Sequence, residues 1–280
     1  MRLSLCNEVI RELEFARQCE LAAALGYEGL EVAPFTLGDD AWRMPPAARA
    51  GLRRAMADAG IACSGLHWLL VAPAGLSITS ADATVRARTL EVMRALVGLC
   101  ADLGGAYLVH GSPAQRRLDG QGPDAARRAE EAWAIVGEDA ARAGLAYCIE
   151  PLARRETDFV NTVAEAAEIV RRVGCPGLRT MIDTSAAALT EAEPVAALVS
   201  RWLPSGLVAH VQLNDRNRRG PGQGDDRFGP VIGALRAGGY AGWLAMEPFD
   251  YVPDGPACAA RAIGYVQALL EATAAPGARA

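Results

Sequence analysis

Residues 239–249 read GYAGWLAMEPF, and the fold turns on what this phrase is. A glycine and an aromatic lead into a short apolar run that closes on Glu247 and Pro248. A brief apolar run bounded by Gly and Pro reads as a strand buried on both faces. An earlier echo, GYEGLEVAPF at 26–35, has the same opening and a Pro-aromatic close. The same alternation fills the chain on both sides. Short apolar runs fall at 3–6, 29–32, 62–66, 106–110, 145–149, 178–182, 208–213 and 243–246. Ala/Arg/Glu/Leu segments with helical spacing lie between them, near 13–25, 46–59, 80–103, 125–143, 163–173, 193–203, 231–237 and 256–274. Glycines punctuate the helix ends, where a left-handed residue is often needed.

Strands alternating with helices imply parallel pairing through right-handed crossovers. Eight such units with no break in composition predict an α/β chain forming one (β/α)8 TIM barrel over 1–274, with 275–280 as a frayed tail. A doubly wound open sheet would place a Gly-rich nucleotide loop after its first strand. This chain has Cys6-Asn7-Glu8 there instead.

Composition narrows the function. The net charge of −5 gives no global attraction to nucleic acid or to an anionic membrane. All 28 basic residues are Arg, which excludes a Schiff-base lysine, a P-loop lysine and a lysine base. The seven Cys show no CxxC or zinc-like spacing and sit largely in apolar runs. They read as reduced core residues of a cytoplasmic protein. The N-terminus lacks a signal-like apolar segment, and no stretch of 18 apolar residues occurs.

In a barrel, chemistry sits at the carboxyl ends of the strands. The last four strands end in Glu150, Asp183, Gln212 and Glu247. A single carboxylate at a strand end is ordinarily a helix cap or a partner for Arg. Four polar ends in succession are harder to assign that way. Three carboxylates brought together need protons or a cation to coexist. An all-oxygen set favours Mg²⁺ or Mn²⁺ over zinc.

At these residues the chain resembles the xylose-isomerase-like sugar isomerase/epimerase superfamily, above all its D-tagatose/D-psicose 3-epimerase and hydroxypyruvate isomerase branches. The likeness is carried by Ile149-Glu150-Pro151-Leu152 with Glu156–Thr162, by Ile182-Asp183-Thr184, by His210-Val211-Gln212, by the loop 217–224, and by Gly239-Tyr240 with Glu247-Pro248-Phe249. The resemblance implies that Glu150, Asp183, Gln212 and Glu247 ligate Mn²⁺ or Mg²⁺, with Co²⁺ also compatible. It implies that Glu150 and Glu247 face the reacting carbon from opposite sides, in a proton transfer through a metal-stabilised enediolate. Glu156 and Arg218 would then hold substrate oxygens of a sugar or keto-sugar, in a homo-oligomer (dimer or tetramer). The chain departs from the family in having Ala186 where a substrate-contacting His is common, and Gln212 where His is common.

His67 and His110, at the ends of the third and fourth strands, are further candidate substrate contacts. Packing is the alternative for each. Glu31 reads as a residue at the edge of the site, His210 as structural, Ser112 as a turn residue with a substrate contact as the alternative, and Asp215 as orienting the Arg218 loop. The Arg pairs at 116–117, 127–128 and 171–172 read as solvated faces. Two other functions remain open: a lyase or dehydratase working by β-elimination on a keto-sugar or 3-keto glycoside, and a non-catalytic sugar-binding protein. Phosphodiester cleavage is disfavoured, since three His in all cannot build a His-rich metal cluster.

Overall fold

The computed structural model describes residues 1–274, so the expectation for 275–280 lies outside the described residues. Strands β1 (Arg2–Cys6), β2 (Gly29–Val32), β3 (Ala62–Leu66), β4 (Tyr107–His110), β5 (Ala146–Ile149), β6 (Leu178–Asp183), β7 (Val208–Leu213) and β8 (Trp243–Met246) pair in parallel, in sequence order. β8 closes on β1 through Arg2–Trp243 to Leu5–Met246. The expected closed (β/α)8 barrel is the architecture found.

The helices are α1 (Phe15–Leu25), α2 (Pro46–Asp58), α3 (Ala83–Leu103), α4 (Ala125–Arg142), α5 (Val163–Val173), α6 (Thr184–Thr190), α7 (Val195–Trp202), α8 (Phe228–Ala237) and α9 (Gly255–Ala272). Local chemistry sets their ends. Thr162 and Glu165 form a reciprocal capping box at the start of α5. Asp82 accepts from the Thr84 N–H, so α3 begins after the expected residue 80. The short α6 was not expected, because 184–190 follows its strand with no turn residues between. The Asp183 side chain caps it directly, taking the Ala186 N–H at 2.6 Å. Among the described residues no helix is long and apolar enough to cross a membrane.

Two shells of core follow from strand alternation. Leu30, Leu108, Ile149, Ile182, Val211 and Leu244 point outward and pack under the helices. Tyr107, Val109, Cys148, Met181 and Trp243 fill the barrel interior. This parity positions the site. Glu150, Asp183, Gln212 and Glu247 each lie two residues beyond an inward position, and Asp183 pairs in register with Gln212. Val109 pairs with Cys148, and His110 with the outward Ile149.

Candidate active site

The barrel mouth gathers three of the four strand-end groups into one cluster. Glu150, Asp183 and Glu247 offer carboxylate oxygens that all lie within 4.8 Å of one another, and all three residues are buried. Gln212 is buried beside them at the same end of the barrel. Asp183 uses Oδ1 on its helix cap and leaves Oδ2 without a partner. Gln212 donates its amide to Glu31 at 2.6 Å and leaves Oε1 without a partner. Glu247 takes hydrogen bonds from Trp68 Nε1 at 2.9 Å and from His67 Nδ1 at 3.0 Å on Oε1, and leaves Oε2 without one. Unpaired buried acceptors are costly, and here each belongs to a side chain already fixed by its other atom.

Electrostatics agree with that crowding. Burial and the neighbouring Glu247 and Asp183 carboxylates hold Glu150 well above the ordinary carboxylate range, with Arg116 pulling against them. Burial lifts Asp183 to about 7, opposed by the backbone N–H of Ala186. Burial also lifts Glu247 to about 8, opposed by His67 and reinforced by Asp183. Three adjacent acids that resist losing their protons form a site that a divalent cation would neutralise. The donor set fits such a cation: three carboxylates and an amide oxygen, the hard ligands that Mg²⁺ and Mn²⁺ prefer.

Several side chains sit where the sequence did not place them. His110 is on the outward face of β4, not at the mouth. Its Nδ1 meets Tyr147 Oη at 2.9 Å and accepts from Trp133 Nε1 of α4 at 3.1 Å. Strand parity is the reason, and His110 is therefore corrected from a substrate contact to a sheet–helix packing residue. Burial, aided by Arg116, drops it to about 3. Arg116 is not a solvated face residue: it is fully buried, donating to the carbonyls of His110 at 3.2 Å and Val160 at 3.4 Å. Burial lowers it to about 10, while Glu150 and Glu156 hold it up.

Glu31 is not at the site's edge but at the barrel's centre, beneath the mouth. Tyr107 Oη donates to it at 2.5 Å, and His210 Nε2 lies 2.8 Å away. His210 stacks on the Tyr107 ring at 3.8 Å. Burial would raise Glu31, but His210, His67 and Tyr107 overcome this and hold it at about 2. Glu31 holds the Gln212 amide by its NH₂ group and leaves Oε1 buried without a partner.

His67 lies at the mouth but is sealed between carboxylates, with Nδ1 on Glu247 and Nε2 2.9 Å from Glu8. Burial opposes its charging, and Glu8, Glu247 and Glu31 together raise its pKa well above the usual value. Glu156 and Arg218 border the mouth in two small adjoining cavities of about 20 and 60 Å³, with Glu150, Leu152 and Phe249. Ala186 lines the first of these and Trp68 the second. Arg218 has a left-handed φ of 71°, and its carbonyl accepts the N–H groups of Phe249 and Asp250, both at 2.8 Å. The β7 loop is thereby tied to the end of β8, with the guanidinium 5.2 Å from the Phe249 ring. Asp215 braces the same loop through Asn217 N at 3.1 Å and Asp226 N at 2.9 Å. Ser112 accepts from Leu70 N at 3.0 Å, which ties the loop after β4 to the loop after β3. Gly111 leaves room for the Glu150 carboxylate: a Cβ there would overlap Oε2 and push that carboxylate aside. A larger cavity of about 270 Å³ lies beside α7 and α8, lined by Pro194, Val195 and Phe228, but it contains none of the clustered carboxylates.

The chain is similar to known proteins over most of its length. The family described as xylose isomerase-like TIM barrel matches residues 19–269. L-ribulose 3-epimerase of Mesorhizobium japonicum is 30% identical over 202 residues, covering 71% of this chain and 66% of that protein. The match thus spans just under two thirds of that relative's length. D-psicose 3-epimerase of Agrobacterium fabrum is 29% identical over 84% of this chain and 80% of that protein. A crystal structure of D-psicose 3-epimerase in the presence of D-fructose superposes with a TM-score of 0.82. It covers 96% of this chain and 99% of that one at 23% identity, a likeness of fold.

Proposed function

We propose that this chain, which belongs to the xylose isomerase-like TIM barrel family, is a divalent-metal-dependent epimerase of small ketoses. One observation carries the reading: Asp183 Oδ2, Gln212 Oε1 and Glu247 Oε2 are buried acceptors without partners, at a mouth where Glu150 completes the cluster. Glu150, Asp183, Gln212 and Glu247 would hold the cation, with Mn²⁺ or Mg²⁺ suited to the oxygen donors and Co²⁺ compatible. When bound, the cation supplies a Lewis acid beside the substrate carbonyl.

Glu150 and Glu247 do the proton work. One removes the proton next to the carbonyl, and the other returns a proton to the opposite face, which inverts that carbon. A general base works best with a pKa near the working pH, and burial brings Glu247 to about 8. Glu156 and Arg218 orient the substrate's oxygens, and Trp68 and Phe249 cover its apolar face. Ala186 leaves open space on the β6 side of the cavity. His67 acts on Glu247 more directly than on substrate. The relatives described above are epimerases, which favours epimerisation over β-elimination. A homo-oligomer in a reducing cytoplasm is part of this reading, and the seven free, buried cysteines suit that compartment.

The test is product analysis by NMR, with Mn²⁺, Mg²⁺ or Co²⁺ and a panel of ketoses, hydroxypyruvate and 3-keto glycosides. A C3 epimer should accumulate from at least one ketose, and Glu150→Gln and Glu247→Gln should each abolish it. Release of an aglycone instead would identify a lyase, and no product from any ketose would refute the epimerase.

A further inference from the structure

The two proton-transferring glutamates are held in different ways. The Glu150 carboxylate accepts no hydrogen bond among the described residues. It occupies the space that Gly111 leaves by having no side chain, near the charge of Arg116. Glu247 is clamped. Its Oε1 accepts from both His67 Nδ1 and Trp68 Nε1, while Oε2 accepts nothing.

The clamp has a foundation of its own. Glu8 lies on the short turn Asn7–Ile10 that follows β1, across the barrel closure from the end of β8. It is 6% exposed, and no described donor makes a well-formed hydrogen bond to either oxygen. The contact it does make is to His67, with Oε2 2.9 Å from Nε2, a distance within ion-pair range but off hydrogen-bond geometry. His67 is fully buried and caught between the two carboxylates. A carboxylate behind an imidazole fixes which nitrogen faces forward and how the ring is turned. Trp68 completes the clamp. Its backbone is left-handed, with φ 51°, which is rare for a bulky residue. Its indole is wedged edge-on between Phe35 at 6.3 Å and Phe249 at 6.1 Å.

We propose that Glu8 and His67 are positioning residues for Glu247: the Glu8–His67 pair, with Trp68, immobilises Oε1 so that Oε2 alone faces the reaction. This rests on the epimerase reading above. Glu247 then depends on a buried network that Glu150 lacks, so the two faces of the reaction are separately adjustable. Glu8 makes no contact with the mouth cavities, which are lined by other residues. Its effect is therefore transmitted through His67.

The variants are Glu8→Gln, nearly isosteric, and His67→Asn, whose amide can stand in for Nδ1 but not for Nε2. His67→Ala removes both. Two measurements are made on the full chain. The first is Mn²⁺ affinity and stoichiometry, from the EPR signal of free Mn²⁺, which needs no substrate. One Mn²⁺ per chain is expected throughout, with affinity lowered about tenfold in His67→Ala, the usual scale for loss of an outer-shell partner. Two Mn²⁺ in the wild type, falling to one in the variants, would overturn the proposal. Cys6, Glu8, His67 and Glu247 would then be ligands of a second ion, a role their mutual approach within 4.8 Å permits.

The second is the primary isotope effect with each ketose epimer deuterated at the inverted carbon. The ratio of forward to reverse kcat/KM is fixed by equilibrium, so it cannot report on one face. The isotope effects can. With Glu247 loosened in Glu8→Gln, the effect should rise for the epimer whose proton Glu247 removes and fall for the other. Gly111→Ala, which displaces Glu150, should give the mirror pattern. Isotope effects that shift together, or not at all, would overturn the proposal. If the wild type epimerises no ketose, the epimerase reading fails, and the Mn²⁺ arm still decides the role of the clamp.

Discussion

Without a bound cation this protein should become increasingly unstable as pH rises, and the size of the loss follows from the buried acids. Asp183 moves from its ordinary 3.8 to about 7 on folding, and Glu247 from 4.5 to about 8. In both, the folded pKa lies above the unfolded one. Their contribution is intact below about pH 4 and is lost as pH climbs through 7 to 8, because the unfolded chain releases its protons first. One such group forfeits roughly 4 to 5 kcal/mol over that window, at about 1.4 kcal/mol per pH unit. The two acids repel each other, so the pair is counted once. For a chain of this size that loss is a fall in Tm of roughly 8 °C or more, at about 2 °C per kcal/mol. A divalent cation takes the place of the protons, binds the ionised cluster best and stabilises the fold by mass action. The assay is thermal unfolding in EDTA and in excess Mn²⁺, at pH 5.5 and pH 8. The quantity compared is the gap between the two curves at each pH, since His110 and Glu31 affect both conditions alike. The gap should be several degrees larger at pH 8. A gap that is constant or shrinks would refute the reasoning that these acids form one cation site.

Gly111→Ala should keep the far-UV circular dichroism of the wild type while weakening Mn²⁺ binding more than tenfold by calorimetry, because its Cβ would overlap the Glu150 carboxylate. Tyr107→Phe removes the 2.5 Å hydrogen bond to the ionised Glu31 and should cost about 1.5–3 kcal/mol in urea unfolding. His110 is held at about 3 on folding, so the fold is stabilised by keeping it neutral above pH 6.5 and loses up to about 1.4 kcal/mol per pH unit as pH falls towards 4. His110→Gln should flatten that slope in pH-dependent denaturation and leave KM for the ketose within about threefold, since residue 110 lies outside the mouth.

The barrel was legible because each strand announces itself as a short apolar run, with a glycine before every one after the first. β2, β3, β7 and β8 have the bounds their sequence implies. The four strand-end ligand candidates were legible because barrel chemistry collects at strand ends. What stayed hidden depends on three-dimensional closure. Glu31 on β2 and Gln212 on β7 are 181 residues apart and meet only across the barrel interior. Arg116 has the spelling of a surface arginine, and only the packing of its turn under the β5 loop reveals a buried guanidinium. His110 illustrates the limit on a single strand: the period of two is visible, but which parity faces inward is not. The Glu8–His67 pair joins β1 to β3, and neither residue has a neighbour in sequence that signals the other.

The proposed proton transfer between Glu150 and Glu247 is tested most directly by running the Mn²⁺-loaded enzyme in D₂O on its ketose and reading the inverted carbon by NMR. The C3-epimer formed should carry deuterium at C3, with the label absent from neighbouring carbons and absent altogether in Glu247→Gln. An epimer formed with its original C3 proton retained, or equal labelling in Glu247→Gln, would contradict a reaction in which one glutamate takes a proton and the other gives one back.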